Sequence, residues 1–389
     1  MVEYREHTYF VSGSIGFENA EQFREELRGA FAESDPVLDF SELCYISSSG
    51  LRVLLSLKKE VSSVQVLNVN EAVYEVLNET GFTELMTVKK KLREISVDHC
   101  ELIGKGGTGT TYKIEGDMII KVYNAGTSLD VVNAERECAR SAFVLGVPTA
   151  IPFEVVKVGD CYGTLFEFIN AISLGKAFQL YPERYDELID KYVALIKKIQ
   201  NIESPDGRFK NIKTILHERL ESLRSLLGDE RVNLLEELND AMPDSKTLVH
   251  GDLHTGNIML QGDELVVIDM ADVTTGPKGY DFMCLCRDLC MQCQNEANKA
   301  FAEQTLSMPV ELALKVWDSL SEKYLGIADE AARKQVLQGE MLACMTNSLA
   351  MSACMPAAFL EGHKGIMIGM VDSRVIPYKD VVKAVMSRL

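Results

Sequence analysis

The sequence predicts a small α/β domain followed by a larger α+β domain, in which a β-rich segment precedes a mostly helical one. Short strand-like and helix-like patterns alternate over about the first ninety residues. A hairpin-rich segment begins near Cys100, and helical periodicity dominates beyond Tyr181. A chain of 389 residues is also too long for one ordinary core. We therefore expect two or three domains.

The predicted boundaries follow these changes of pattern. We assign residues 1–90 to the first domain, 91–99 to a linker, 100–170 to the β-rich part and 171–389 to the helical part. The basic run at 89–93, Lys-Lys-Lys-Leu-Arg, is the best candidate for a solvated connector.

Within the first domain, strands and helices are predicted in alternation. The predicted strands cover residues 8–14, 36–40 and 64–67, and the predicted helices cover 21–32, 48–61 and 70–80. This alternation favours a small sheet covered by helices.

Composition excludes several classes of protein. The chain is 47% hydrophobic and 25% charged, which is typical of a soluble globular protein. With a formal net charge of -18, the chain lacks the surplus of positive charge that neutralises nucleic-acid phosphates. We see neither an apolar stretch of the roughly 18 to 20 residues that a membrane helix requires nor an apolar leader at the N-terminus. We expect a cytoplasmic protein with no nucleic-acid partner and no membrane partner.

Four of the ten cysteines cluster at positions 284, 286, 290 and 293. On a helix, Cys286, Cys290 and Cys293 fall near one face, which is compatible with a soft-metal site. Their spacing matches no paired C-x-x-C zinc pattern, and a reduced cysteine packs as a small apolar residue. Helix packing is therefore favoured over metal binding.

A glycine-rich loop between two predicted strands indicates phosphate binding. Glycine lets backbone amides approach a phosphate without obstruction from Cβ. Lys121 lies one strand further on among apolar residues, where it could reach the phosphates of a nucleotide, and residues 135–137, Glu-Arg-Glu, open a predicted helix that could hold this lysine by ion pairing. The loop glycines are Gly104, Gly106, Gly107 and Gly109.

Two acidic segments separated by a short apolar strand predict the second half of the same site. Residues 250–257 read His-Gly-Asp-Leu-His-Thr-Gly-Asn, and 266–269 read Val-Val-Ile-Asp. Phosphoryl transfer needs a carboxylate that orients the attacking hydroxyl and oxygen ligands that hold Mg²⁺. Asp252, Asn257 and Asp269 are the residue types for these roles.

From about residue 100 onward, these motifs resemble the aminoglycoside phosphotransferase and choline kinase group of the protein-kinase-like fold. The resemblance implies a bilobal domain in which Asp252 is the catalytic base, Asn257 and Asp269 are Mg²⁺ ligands, and Lys121 contacts phosphate with Glu137 as its helix partner. It also implies a structural role for Asp281. The pair His250 and His254 is favoured as a brace of the catalytic loop over a zinc site.

The segment 163–170, Gly-Thr-Leu-Phe-Glu-Phe-Ile-Asn, resembles the hinge that receives adenine through backbone hydrogen bonds. We include Glu167 and Ile169 among the nucleotide-binding residues and expect ATP, with GTP left open. The resemblance implies a small-molecule acceptor, and the sequence does not choose among its classes.

The first domain resembles the STAS fold of anti-sigma factor antagonists. The resemblance rests on residues 37–41, Val-Leu-Asp-Phe-Ser, and 46–51, Ile-Ser-Ser-Ser-Gly-Leu. Ser48 matches the serine that this family phosphorylates, at a helix start where backbone amides stabilise a phosphate. Ser47 stands where the family has an aspartate, and N-capping by one of the serines is the alternative role. The same domain order resembles a bacterial group of phosphotransferases.

These observations lead to three hypotheses. The first is an ATP- and Mg²⁺-dependent phosphotransferase acting on a hydroxyl of a small molecule, with the STAS-like domain serving regulation, assembly or binding of a protein partner. The second is a signalling kinase that phosphorylates its own Ser48 or the STAS domain of a partner. The third is a nucleotide-sensing interaction module, which the intact acidic segments disfavour.

Overall fold

The computed structural model describes residues 1–204 and 207–389. The chain divides into two compact units. The first comprises Met1–Ser96 with Val155–Asp160, and the second comprises Val97–Glu154 with Cys161–Leu389.

The first unit is a five-stranded sheet with helices, as the alternating patterns predict. The strands are β1 (Val2–Arg5), β2 (Thr8–Ile15), β3 (Val37–Ile46), β4 (Gln65–Val69) and β5 (Thr87–Lys90), and the helices are α1 (Ala20–Glu26), α2 (Ser48–Glu60), α3 (Glu71–Glu79) and α4 (Phe82–Leu85). The strands are ordered as numbered: β1 and β2 form an antiparallel pair, whereas β2 to β5 run parallel. Inward residues of the strands and helices form one apolar core. The predicted small α/β fold is confirmed.

Two predictions within this unit require correction. The predicted helix at 21–32 ends at Glu26 and is followed by a 3₁₀ turn at Ala30–Ala32. Gly29, a poor helix former, lies between them. The basic run at 89–93 is not a connector along its whole length. Lys89 and Lys90 belong to β5, and the Lys90 ammonium pairs with Glu71 at 2.6 Å.

The second unit begins with the β-rich part. Its elements are β6 (Glu101–Lys105), β7 (Gly109–Ile114), β8 (Met118–Tyr123), α5 (Leu129–Val144) and β10 (Cys161–Glu167), whereas β9 (Pro152–Val158) begins in the second unit and ends in the first. Strands β6, β7, β8 and β10 pair antiparallel in that order. The helix predicted to open at Glu135 begins six residues earlier, at Leu129, with the Ser128 hydroxyl accepting the Val131 amide as an N-cap.

The remaining chain is mostly helical, as predicted. It contains β11 (Ile172–Ser173), α6 (Leu174–Leu180), α7 (Tyr185–Ile199), α8 (Ile212–Ser222), α9 (Arg224–Leu227), α10 (Asp229–Asp240), β12 (Thr247–Val249), β13 (Ile258–Gln261), β14 (Glu264–Val267), β15 (Thr274–Gly276), α11 (Tyr280–Cys286), α12 (Lys299–Leu306), α13 (Val310–Leu325), α14 (Glu330–Met351), α15 (Ala357–Met370) and α16 (Lys379–Met386). A π-helical segment, Arg287–Met291, continues α11. Strand β14 is the predicted apolar strand, and it pairs with β13 in a hairpin.

The cysteine cluster lies in the helical part, where its packing prediction is confirmed. Cys286, Cys290 and Cys293 are buried in one apolar core with α7 and α13, and Cys284 is buried in a second core with α8 and α14. Burial raises the pKa of Cys293 to about 12. Among the described residues, no helix is long and apolar enough to cross a membrane.

Candidate active site

The predicted catalytic loop, residues 250–257, connects β12 to β13. Gly251 has a φ of +82°, a conformation that side chains with Cβ rarely adopt. The loop contains Asp252 and ends at Asn257, whose backbone carbonyl accepts the Ile268 amide at 2.8 Å. The hairpin of β13 and β14 therefore brings the end of the loop beside Asp269.

Asp252 is held by side chains on both of its carboxylate oxygens. Oδ2 accepts from Asn257 Nδ2 at 2.9 Å and lies 3.4 Å from His254 Nε2, whereas Oδ1 lies 3.4 Å from Arg287 Nη2. Burial favours the neutral acid, but the His254 hydrogen bond and the nearby charges outweigh it and lower the pKa of Asp252 to about 2. Asp252 is thus ionised and oriented at neutral pH.

The two histidines brace this loop, as predicted. His250 Nδ1 accepts the Asp252 amide at 3.2 Å, and His254 Nδ1 accepts the Gly256 amide at 3.1 Å. Burial lowers the pKa of His250 to about 4, so this ring is neutral. Burial also disfavours protonation of His254, but hydrogen bonding and attraction to Asp252 outweigh it, and its pKa is raised.

A buried carboxylate supports the same loop from α11. Asp281 accepts the Gly251 amide at 2.7 Å and the His250 amide at 3.2 Å. Complete burial raises its pKa to about 6, although the two amide donors oppose this shift. Its contacts join it to the backbone of the loop, which fits the expected structural role.

Asn257 and Asp269 have the chemistry of a Mg²⁺ site. Both donated hydrogen bonds of the Asn257 amide go to Asp252, to its backbone carbonyl at 3.1 Å and to Oδ2. These bonds fix the amide group and leave its oxygen available. The Asp269 side chain is 42% exposed, and this residue, the second after β14, adopts a φ of +63°. Carboxylate and amide oxygens are hard ligands that suit Mg²⁺, so the residues present fit this ion.

Lys121 extends from β8 toward Asp269, but its partner differs from the prediction. Its ammonium lies 2.7 Å from Glu135 and 3.5 Å from Asp269. Burial opposes protonation, yet these two carboxylates raise the pKa of Lys121. The prediction that Glu137 pairs with Lys121 is wrong. Residues two apart on a helix face different sides, and Glu137 instead pairs with Arg136 and Arg140.

The glycine loop joins β6 to β7, as predicted. The Gly106 amide donates to the Gly109 carbonyl at 2.9 Å. A Cβ at Gly104 or Gly107 would meet no atom within 4 Å, whereas one at Gly109 would lie 2.2 Å from the Val122 carbonyl oxygen in β8. Gly109 is thus required by the sheet itself, Gly104 lies within β6, and Gly107 leaves the loop backbone open.

The predicted hinge, residues 163–170, comprises the last five residues of β10 and the three residues that follow it. The Glu167 amide donates to the Ile151 carbonyl at 3.0 Å, and the Phe168 amide donates to the Asp117 carbonyl at 2.9 Å. The Ile169 amide has no hydrogen-bond partner in the part of the chain that the structure describes. The Ile169 amide is thus a backbone donor that a ligand could use.

Two models of known protein families match parts of the chain. A family model described as the phosphotransferase enzyme family matches residues 99–319. The chain belongs to this family. A second model, described as the STAS domain, matches residues 1–95, so both predicted resemblances are confirmed.

Similar solved structures include aminoglycoside phosphotransferase APH(2'')-Ib bound to ADP, with 17% identity over 77% of this chain and 96% of that chain and a TM-score of 0.45. A choline/ethanolamine kinase family protein from Mesorhizobium loti has 14% identity over 74% of this chain and 93% of that chain, with a TM-score of 0.44. No curated protein matches the chain significantly.

In the STAS domain, the structure separates the roles of the serines at the start of α2. Ser47 is the N-cap, and its hydroxyl accepts the Gly50 amide at 3.4 Å. Ser48 is the first helical residue and is exposed. The capping role therefore belongs to Ser47, and the Ser48 side chain is accessible.

In the phosphotransferase domain, a cation that no sequence motif indicated lies beside Asp252. Arg287 binds Asp288 through Nε at 2.7 Å and Nη2 at 2.9 Å, and its Nη2 also faces Asp252. Asp272 is a further carboxyl near this centre. Loss of solvent and the charges of Asp252 and Asp269 raise the pKa of Asp272. The adjacent Arg-Asp pair at 287–288 is visible in the sequence, but the π-helical segment that sets its direction is not.

Proposed function

We propose that the chain is an ATP- and Mg²⁺-dependent phosphotransferase that transfers the γ-phosphoryl group to a hydroxyl of a small molecule. The observation that carries this proposal is the meeting of three parts of the chain. The Lys121–Glu135 pair from the β-rich part lies against Asp269, and the β13–β14 hairpin joins Asp269 to the loop that holds Asp252. The arrangement supports a phosphate-binding cation, a metal-binding pair and a base within one site.

Asp252 orients the acceptor hydroxyl through Oδ1, because Oδ2 is already engaged by Asn257 and His254. The hydroxyl oxygen forms a bond to the γ-phosphorus while the bond between this phosphorus and the bridging oxygen breaks and ADP leaves. The hydroxyl proton passes to Asp252. A carboxylate with so low a pKa is a weak base, which suits a loose transition state in which the proton is transferred late.

The other side chains hold the nucleotide. Bound between Asn257 and Asp269, Mg²⁺ would neutralise charge on the phosphate oxygens. Lys121 contributes a positive charge, and its ion pair with Glu135 holds the ammonium group in position. The glycine loop offers backbone amides to the phosphates, and the Ile169 amide supplies a donor for adenine.

The test is Asp252→Ala in the full chain, with Asp263→Ala as a control for an exposed carboxylate outside the site. ATP consumption would be followed with candidate acceptors: choline, amino sugars, aminoglycosides, homoserine and methylthioribose. We expect loss of turnover by roughly 10² to 10⁴-fold in Asp252→Ala, with binding of Mg-ATP by calorimetry retained. The control should behave as wild type. Turnover that persists in Asp252→Ala would remove this residue from the mechanism.

A second candidate function is protein phosphorylation, which the exposure of Ser48 favours. Phosphate at the first residue of α2 would be stabilised by the free amides and the helix dipole. Mass spectrometry after incubation with Mg-ATP would detect phosphoserine in the wild type and its loss in Ser48→Ala and Asp252→Ala. An unmodified chain would count against phosphorylation in cis. We propose that the STAS domain otherwise serves regulation or assembly.

A further inference from the structure

The catalytic loop ends in a tight turn that carries both side chains bound to Oδ2 of Asp252. The Asn257 amide donates to the His254 carbonyl at 2.9 Å, which closes the turn over residues 254–257. The side chains of His254 and Asn257 are the two groups that hold Oδ2. A displacement of this turn would therefore move both partners of the carboxylate at once.

Thr255, inside this turn, is anchored by the end of α12. Its side chain is completely buried, and its hydroxyl donates to the Leu306 carbonyl at 2.8 Å. Leu306 is the last residue of α12, where the carbonyl groups of a helix lack partners within the helix. The bond therefore satisfies a carbonyl that the helix leaves free, and it ties the turn to α12.

Helix α6 contacts the same turn through the main chain. The Gly175 amide donates to the Thr255 carbonyl at 3.2 Å. A Cβ at Gly175 would collide with the Leu306 carbonyl oxygen, and a Cβ at Gly256 would collide with that of Thr305. The backbones of α6, the turn and α12 thus approach so closely that only glycine fits at these two positions.

The end of α12 is itself held in place. Its buried face belongs to the same apolar core as Leu253 of the catalytic loop. Gln179 Nε2 donates to the carbonyls of Gly175 at 2.9 Å and Ser307 at 2.8 Å, which joins α6 to the residue that follows α12. The hydroxyl of Thr255 is therefore bound to a fixed support.

We propose that Thr255 is a positioning residue for phosphoryl transfer, because its bond to α12 keeps the Asn257 amide and the Asp252 carboxylate in their relative positions. The inference rests on the proposed phosphotransferase function and names the support of its catalytic loop. Thr255 acts through His254 and Asn257 and has no part in the chemical step. Since a misplacement of about 1 Å can cost about 10²-fold in rate, a small shift of this turn is expected to reduce turnover.

The test compares Thr255→Val, which removes the hydroxyl at nearly constant volume, with Thr255→Ser, which retains it. Thr346→Val is the matched control, because the buried Thr346 hydroxyl also donates to a backbone carbonyl, that of Ala343 in α14. Hydrogen exchange of the full chain is followed by mass spectrometry at a temperature where all variants are folded. We expect exchange over residues 250–257 to become about three-fold faster or more in Thr255→Val alone, since a buried hydrogen bond is lost.

A second measurement separates positioning from a purely structural bond. Binding of a non-hydrolysable ATP analogue to each protein is titrated with Mg²⁺ by calorimetry. In Thr255→Val the Mg²⁺ concentration for half-maximal binding should rise about three-fold or more, because the Asn257 oxygen is displaced. Thr255→Ser and Thr346→Val should match the wild type.

Two results would overturn the proposal. One is equal exchange of residues 250–257 in Thr255→Val and the wild type, and the other is an unchanged dependence of analogue binding on Mg²⁺ in that variant. Failure of the phosphotransferase function is separately visible, because Mg²⁺ would then leave analogue binding by the wild type itself unchanged.

Discussion

The carboxylate of Asp281 accepts the backbone amide of Gly251 at 2.7 Å, and this contact ties α11 to the catalytic loop. The same carboxylate accepts the His250 amide, so two consecutive amides of the loop donate to one buried group. Because Gly251 adopts a left-handed conformation, the loop has few other ways to satisfy these donors. Asp281 therefore sets the position of Asp252 without contacting the reacting atoms.

Asp281→Asn should destabilise the fold, because the amide group has one acceptor oxygen where the carboxylate has two. We expect the free energy of unfolding to fall by about 2 kcal/mol, the cost of leaving a buried donor without a partner. Turnover should fall as the loop loosens. Urea denaturation of the variant and of the exposed Asp263→Asn control would measure the difference, and equal stability of the two would contradict this role.

Glu135→Gln should weaken nucleotide binding, whereas Glu137→Gln should not. Only Glu135 pairs with Lys121, and losing a charge-assisted hydrogen bond costs about 1.5 to 3 kcal/mol, or ten-fold or more in affinity. Calorimetric titration with Mg-ATP compares the two variants, whose substituted residues lie two positions apart on one helix. A larger loss in Glu137→Gln would show that the lysine changes partner when nucleotide binds.

The wild type should lose stability relative to His250→Asn as the pH falls from about 6.5 to about 4. The folded pKa of His250 is lowered from 6.5 to about 4, so the unfolded chain binds the proton more tightly in this window. Stability is therefore fully present above pH 6.5 and declines below it, by about 3 kcal/mol in total. The asparagine oxygen can replace the Nδ1 acceptor.

Denaturation of both proteins across this pH range measures the effect. The raised pKa of Asp281 acts in the opposite direction, with stability decreasing as the pH rises from about 4 toward about 6. Asp281 is present in both proteins, so its contribution largely cancels in the comparison. If the difference in free energy of unfolding between the two proteins stayed constant between pH 6.5 and 4, the His250 ring would be protonated in the folded state as well.

Gly109→Ala should destabilise the β-rich part, whereas Gly107→Ala should leave stability nearly unchanged. The new Cβ at position 109 would lie 2.2 Å from the Val122 carbonyl oxygen, so β7 or β8 must shift, at a cost of about 1 to 3 kcal/mol. Position 107 has open space. Thermal denaturation distinguishes the two variants, and equal melting temperatures would argue against the packing requirement.

The sequence by itself predicted residues of the types that phosphoryl transfer requires and determined the periodicities of the strands and helices. Asp252, Asn257 and Asp269 follow from their spacing around one apolar strand, and the small α/β domain follows from alternation of period-two and helical patterns. These signals are local, because each is carried by a few consecutive residues.

Only the tertiary structure decided which side chains meet. Glu135 rather than Glu137 reaches Lys121, because α5 begins at Leu129 and its packing against β10 turns one face toward the sheet. Arg287 reaches Asp252 because a π-helical segment after α11 changes the direction in which the side chains point. In such a segment the number of residues per turn differs from 3.6, so the helix face on which a residue lies cannot be counted from the sequence. Pairing between elements far apart in the chain depends on packing, which no local pattern contains.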